Sequence, residues 1–162
     1  MKLRFTLFAS LFLVLSICLT SCKKELKDFS FSYSMETVAN YKLAVSFKSD
    51  KTFRLEEYNY YMDNMDGIRR PKIVEGTLSD QEYDTLKPLL TDCDFFAMED
   101  SYGFEKEAHP IFSNIMYQIS FSTENREKYI SIRNTNIKEF SSSFLNVLDF
   151  INTFLNDHKD DK

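Results

Sequence analysis

Phe29-Ser30-Phe31-Ser32-Tyr33-Ser34-Met35 sets a large apolar side chain at every odd position and a serine at every even one. An extended chain points successive side chains to opposite sides, so this stretch makes a strand with one buried and one wet face. On a helix the same residues would be spread around the whole circumference. A sheet with one polar face is therefore the base of the fold.

Reading on from there, Leu43, Val45 and Phe47 repeat the alternation, and Ser49-Asp50-Lys51 supplies turn chemistry. Phe53 and Leu55 open a third strand that is expected to run on into Tyr58, Tyr60 and Tyr61. Asp63, Asn64, Asp66 and Gly67 form a polar tip, with Asp66-Gly67 suited to the positive φ angles of a tight hairpin. A fourth strand returns from Lys72 to Leu78, with Pro71 at its start, where no ladder donor is needed. Ser79-Asp80-Gln81-Glu82 is a capping box, and Tyr83, Leu86, Leu89 and Leu90 follow at helical spacing. Pro88 falls inside that pattern and predicts a kink or break near Lys87. Asn114–Thr123 and Lys128–Arg133 read as a hairpin around Glu124-Asn125-Arg126. The last element is a helix capped by Asn136, with Ile137, Phe140, Phe144, Val147, Leu148, Ile151 and Phe154 on one stripe. Beyond Leu155 the tail is charged and is expected to fray. Four strands, a helix, two strands and a helix make an α+β domain, a largely antiparallel sheet of about six strands with two helices packed on one face. The expected domain spans residues 29–156, ahead of a charged tail at 157–162.

The start of the chain carries an address. Lys2 and Arg4 precede a nearly unbroken apolar run from Phe5 to Leu19, of about fifteen residues against the roughly twenty that a membrane-spanning helix needs. Leu19-Thr20-Ser21-Cys22 closes it. The pattern resembles the bacterial lipobox, and that resemblance implies a signal peptide over residues 1–21, cleavage before Cys22, lipid (palmitate among it) on that cysteine, and a membrane-anchored lipoprotein. Two or three acyl chains hold a protein effectively permanently, where one does not. Residues 22–28 then form a short charged tether. Lys23 stands where lipoproteins retained at the inner membrane of enteric bacteria carry Asp, which implies the outer membrane. The missing acid-rich stretch after the cysteine points to its periplasmic side.

A second resemblance rests on Gly76-Thr77-Leu78-Ser79, Glu82-Tyr83, Leu86, Leu89-Leu90, Phe95-Phe96-Ala97-Met98 and Asp100-Ser101-Tyr102-Gly103. These look like small secreted bacterial domains of unknown function, with a capped helix, a double-aromatic step and an acidic-Tyr-Gly loop between two sheet segments. The likeness implies an α+β fold and no chemistry.

Composition narrows the function classes. The chain has 162 residues and a formal charge of -5; cleavage before Cys22 removes two bases and no acid, leaving -7. That balance argues against a nucleic-acid partner bound through phosphate neutralisation. Three glycines make no phosphate loop and two histidines no His-rich zinc site, so no cofactor and no metal site are expected. After processing, Cys93 is the one unlipidated cysteine, expected to pack as a small apolar residue beside Phe95 and Phe96. Two regions remain for function. Tyr58, Tyr60, Tyr61, Arg69 and Arg70 cluster around one hairpin, and Tyr and Arg are enriched where proteins meet. They are the candidate partner-binding residues of a non-enzymatic binding, assembly or inhibitor module with an envelope protein as partner. The alternative is an envelope hydrolase using the unpatterned acidic segment from Glu99 to Ser113, with Glu99, Asp100, Glu105, Glu107 and His109. No nucleophile signature accompanies that loop, so no catalytic residue is assigned. His158 lies in the expected frayed tail and receives no role.

Overall fold

The computed structural model describes residues 26–37, 40–60, 71–104, 115–133 and 139–158. Its elements in chain order are β1 (Phe29–Thr37), β2 (Tyr41–Lys48), β3 (Thr52–Asn59), β4 (Lys72–Thr77), α1 (Asp80–Asp92), a 3-10 turn (Phe95–Ala97), β5 (Ser101–Tyr102), β6 (Ile115–Thr123), β7 (Arg126–Arg133) and α2 (Ser142–His158). The strands form one sheet in the order β4-β3-β2-β1-β6-β7-β5, so the opening stretch is its middle strand. Every neighbouring pair is antiparallel except β5 with β7. The fold is α+β, with seven strands rather than six. The extra strand, β5, lies in the segment expected to be unpatterned; two residues are too few for any period to show.

Register explains the core. Phe31 stands opposite Phe47 on one side and Phe121 on the other, and Tyr33 opposite Val45 and Ile119, so the odd residues of β1 share a face with those of its neighbours. The helices cover that face. Phe47 and Phe53 meet Phe154 of α2 edge-on at 4.9 and 5.0 Å between ring centroids, and Tyr83 of α1 stacks on Phe29 at 6.4 Å. Phe95 of the 3-10 turn fills the centre between Phe121, Phe31 and Phe144. Gly76 pairs with Phe53, and a Cβ there would come within 2.7 Å of the Phe53 ring, so the edge strand needs glycine for the ring to lie flat over it. Leu26, inside the expected tether, also packs against this core.

Four expectations about elements are corrected. α1 starts on the expected capping box, with the Ser79 hydroxyl accepting from the Glu82 amide at 3.2 Å and Glu82 accepting from the Ser79 amide at 2.7 Å. It then runs through Pro88 unbroken to Asp92. Both Pro88 and Asp84, whose carbonyl loses its helical donor, are exposed, so water can serve that oxygen. β3 stops at Asn59, short of Tyr60. α2 begins at Ser142, capped by the Ser141 hydroxyl accepting from the Phe144 amide at 3.3 Å, rather than at Ile137 with an Asn136 cap; residues 136 and 137 lie outside the described residues. Its far end does not fray at Leu155. It continues to His158, whose ring stacks on Phe154 at 4.0 Å and stands edge-on to Phe53 at 5.3 Å, with Nε2 3.4 Å from a Glu82 carboxylate oxygen.

Candidate functional site

The even residues of β1 and their neighbours make the other face of the sheet, which neither helix covers. At the level of Ser32 the row reads Glu75, Arg54, Ser46, Ser32, Ser120, Tyr129 from β4 to β7. One step toward the end of β1, Ile73, Glu56, Ala44, Ser34, Gln118 and Ser131 share a level. At the level of Ser32 small hydroxyl side chains thus form the middle, with larger charged and aromatic groups on both flanks. Tyr129 and Ile73 are exposed at 62% and 43%, one on each flank.

Hydrogen bonds hold the flanks in place. Arg54 donates from Nε to Glu56 at 2.5 Å and from a terminal nitrogen to Glu75. Tyr58 donates to the second oxygen of Glu56 at 2.9 Å, and Tyr129 donates to Glu127 at 2.5 Å. The Arg54 guanidinium holds the Glu56 carboxyl below its usual range, while Glu56 and Glu127 raise the hydroxyls they accept from, Tyr58 and Tyr129. Glu56 is thereby held ionised and the Tyr58 and Tyr129 hydroxyls neutral at neutral pH, so these groups can recognise by charge and ring contact.

Of the residues expected to bind a partner, Tyr58 lies on this face and Tyr60 beside it at the same corner, their ring centroids 5.9 Å apart. Tyr61, Arg69 and Arg70 lie outside the described residues, as does Cys22. Sequence reasoning missed Arg54, Tyr129 and Arg133. Tyr129 was legible as an outward position of a strand pattern, but which strand it would share a surface with was not.

The acidic loop is described only to Phe104, so Glu105, Glu107 and His109 lie outside. Of its described acids, Asp100 serves the fold through its carboxylate and Glu99 through its backbone. Asp100 pairs with Lys128 at 2.5 Å and its carbonyl accepts from the Ser131 amide, while the Glu99 amide donates to the Tyr102 hydroxyl at 3.0 Å. Gly103 takes φ 77 to turn the chain out of β5. Among the described residues no group of three His, Cys, Asp or Glu is placed to hold a metal ion.

Among the described residues, cavities lie beside both helices. One, of about 680 Å³, opens where the chain enters the sheet, between Leu26, Leu90, Cys93, Phe96 and the β6–β7 turn, with the Arg126 guanidinium 3.6 Å over the Phe96 ring. Cys93 is buried in its wall; burial, and then the Asp94 charge, push its thiol up to about 12, so no thiolate nucleophile stands there at neutral pH. Another, of about 280 Å³, lies between the sheet and α2 near Tyr33, Tyr117, Phe140 and Asn152. Burial, and then Tyr117, drive the Tyr33 hydroxyl far above its ordinary range, which keeps it neutral. The chain matches no protein-family model and no curated protein.

Proposed function

We propose that this protein is a lipid-anchored module of the bacterial cell envelope, held by Cys22 in the outer membrane on its periplasmic side, that works by binding a protein partner rather than by catalysis. One observation carries the reading. The chain enters the fold at the Phe29 end of β1, with Leu26 packed on the core four residues after Cys22, whereas Tyr58 and Tyr60 sit at the opposite end of the sheet. The nine residues of β1 span about 30 Å. A domain leashed so closely to a bilayer meets other proteins with its far end and its open face. That is where Tyr58, Tyr60, Tyr129, Arg54 and Arg133 stand.

Labelling of cells with radioactive palmitate tests the anchor: Cys22→Ala is expected to abolish incorporation, and a mutant that still takes up label would refute it. Crosslinking of the anchored protein in intact envelopes tests the binding role. Tyr58→Ala with Tyr60→Ala is expected to lose the crosslinked product while the amount of protein in the membrane is unchanged; an unaltered product would remove this corner from the binding surface.

A further inference from the structure

We propose that the partner of the open sheet face is a second copy of this chain, docked face to face with the two-fold axis lying along β1. The choice of axis rests on the anchored reading above, and the fit of the surfaces rests on register alone.

β1 is the fourth of seven strands, so an axis along it lays β2 on β6 and β3 on β7 of the other copy, level for level. At the level of Ser32 the middle then meets through small side chains, Ser32 against its own copy and Ser46 against Ser120, which allows close approach there. On the flanks, Arg54 of one copy meets Tyr129 of the other, and Tyr58 meets Arg133. Each is a guanidinium on a phenol ring, a pairing that occurs twice by symmetry and is favourable once water is excluded. Aligned sheets keep their strands within about 30° of each other, so the match holds across the middle strands. On the axis Glu36 meets its own copy, and each of those carboxylates lies 4.0 Å from its own Lys42.

Charge and area agree with this occupant. Two copies of a chain that carries -7 once cleaved before Cys22 repel one another through most of their surfaces. On this face Lys42, Lys48, Arg54 and Arg133 balance Glu36, Glu56, Glu75 and Glu127. At ordinary strand spacing the face has an outline of roughly 700 Å², near the about 800 Å² per partner of a stable complex. The other in-plane axis, across the strands, sets Lys42 on Lys48 of the other copy and sends the two entry ends in opposite directions. An axis along β1 keeps both Phe29 ends on one side, so both lipids reach the same bilayer.

The test uses the full chain in its membrane, labelled with palmitate and treated with a bis-maleimide that spans about 10 Å, the spacing of packed sheets. Ser32→Cys is expected to give a product of twice the mass. The parent chain, with Cys93 buried, is expected to give none. Tyr129→Cys is expected to give none either, because its two copies stand roughly 20 Å apart across the axis. Adding Arg54→Glu and Arg133→Glu to Ser32→Cys is expected to lower the yield several-fold. A palmitate-labelled Ser32→Cys chain that stays monomeric, or that links only to a different protein, overturns the dimer and leaves the anchor standing. Equal self-linking at Tyr129→Cys overturns the axis. Absence of palmitate overturns the anchor, and the Ser32→Cys product then still decides the pairing.

Discussion

Cys93 shows how far a single residue could be read. Its neighbours Phe95 and Phe96 marked it as a packing residue, and it is 4% exposed. What the sequence did not carry is the strength of its surroundings, since the shift to about 12 comes from the walls built by α1, β6 and the 3-10 turn. The folded state holds this proton more tightly than the unfolded chain, whose thiol titrates near its ordinary 9.0. The stabilising contribution is thus complete below about pH 9 and is lost as pH rises toward 12. Tyr33, raised by burial, acts in the same direction above its ordinary 10.0. Thermal midpoints are therefore expected to hold steady from neutral pH to about 9 and to fall beyond it, and Cys93→Ala is expected to soften the fall. An alkylating reagent at pH 8 is expected to leave the native thiol untouched and to label it after denaturation. Rapid native labelling would mean that the wall is open. His158 was the opposite case. A charged tail hid it, although its place four residues after Phe154 put the two rings on one helical face.

At the level of elements, periodicity served well where the pattern was long and failed where it was short or where a local signal was given too much weight. β1, β2, β6 and β7 follow from alternation, and α1 begins on its capping box. β5 has two residues and is held by the Asp100 carbonyl accepting from Ser131, a contact that no local sequence announces. The start of α2 was set too early by the apolar spacing of Phe140 with Phe144, while Ser141 caps the helix that begins at Ser142. Phe140 fits the apolar stripe yet precedes the helix, packing on Tyr102 and Phe144 from outside it. Pro88 tests the balance inside α1. Proline in a helix interior costs about 3 kcal/mol against alanine, and here the loss is softened because the orphaned Asp84 carbonyl is exposed. Pro88→Ala restores that donor without touching the core. It is expected to stabilise the domain by about 1–3 kcal/mol, measured by denaturant unfolding, and a loss of stability would mean that Pro88 makes a contact the helix depends on.

For the whole molecule, the sequence supplied the parts and their faces but not the order of the sheet. The pairing of Tyr33 with Ile119 joins residues far apart in the chain, and hydrophobic pattern alone gives no reason for β6 to sit beside β1 rather than beside β4. The path explains it. From β4 at one edge the chain crosses under the sheet as α1, passes Phe95 through the centre of the core, reaches the far edge as β5 and only then fills in β6 and β7. α2 arrives last and closes the buried face, adding Phe144, Val147, Ile151, Phe154 and Leu155 to the core. Burying each such side chain contributes about 1.5–3 kcal/mol, so together they are worth roughly 10 kcal/mol, the scale of the entire stability of an ordinary domain. A chain ending after Phe140 is therefore expected to lose its cooperative thermal transition and to be cleaved rapidly by protease, since Phe47 and Phe53 would then face water. A chain ending after His158 keeps every one of these contacts and is expected to melt like the full protein. If the shorter chain still melted cooperatively, the sheet and α1 would hold a core of their own, and α2 would be an attachment rather than the closing layer.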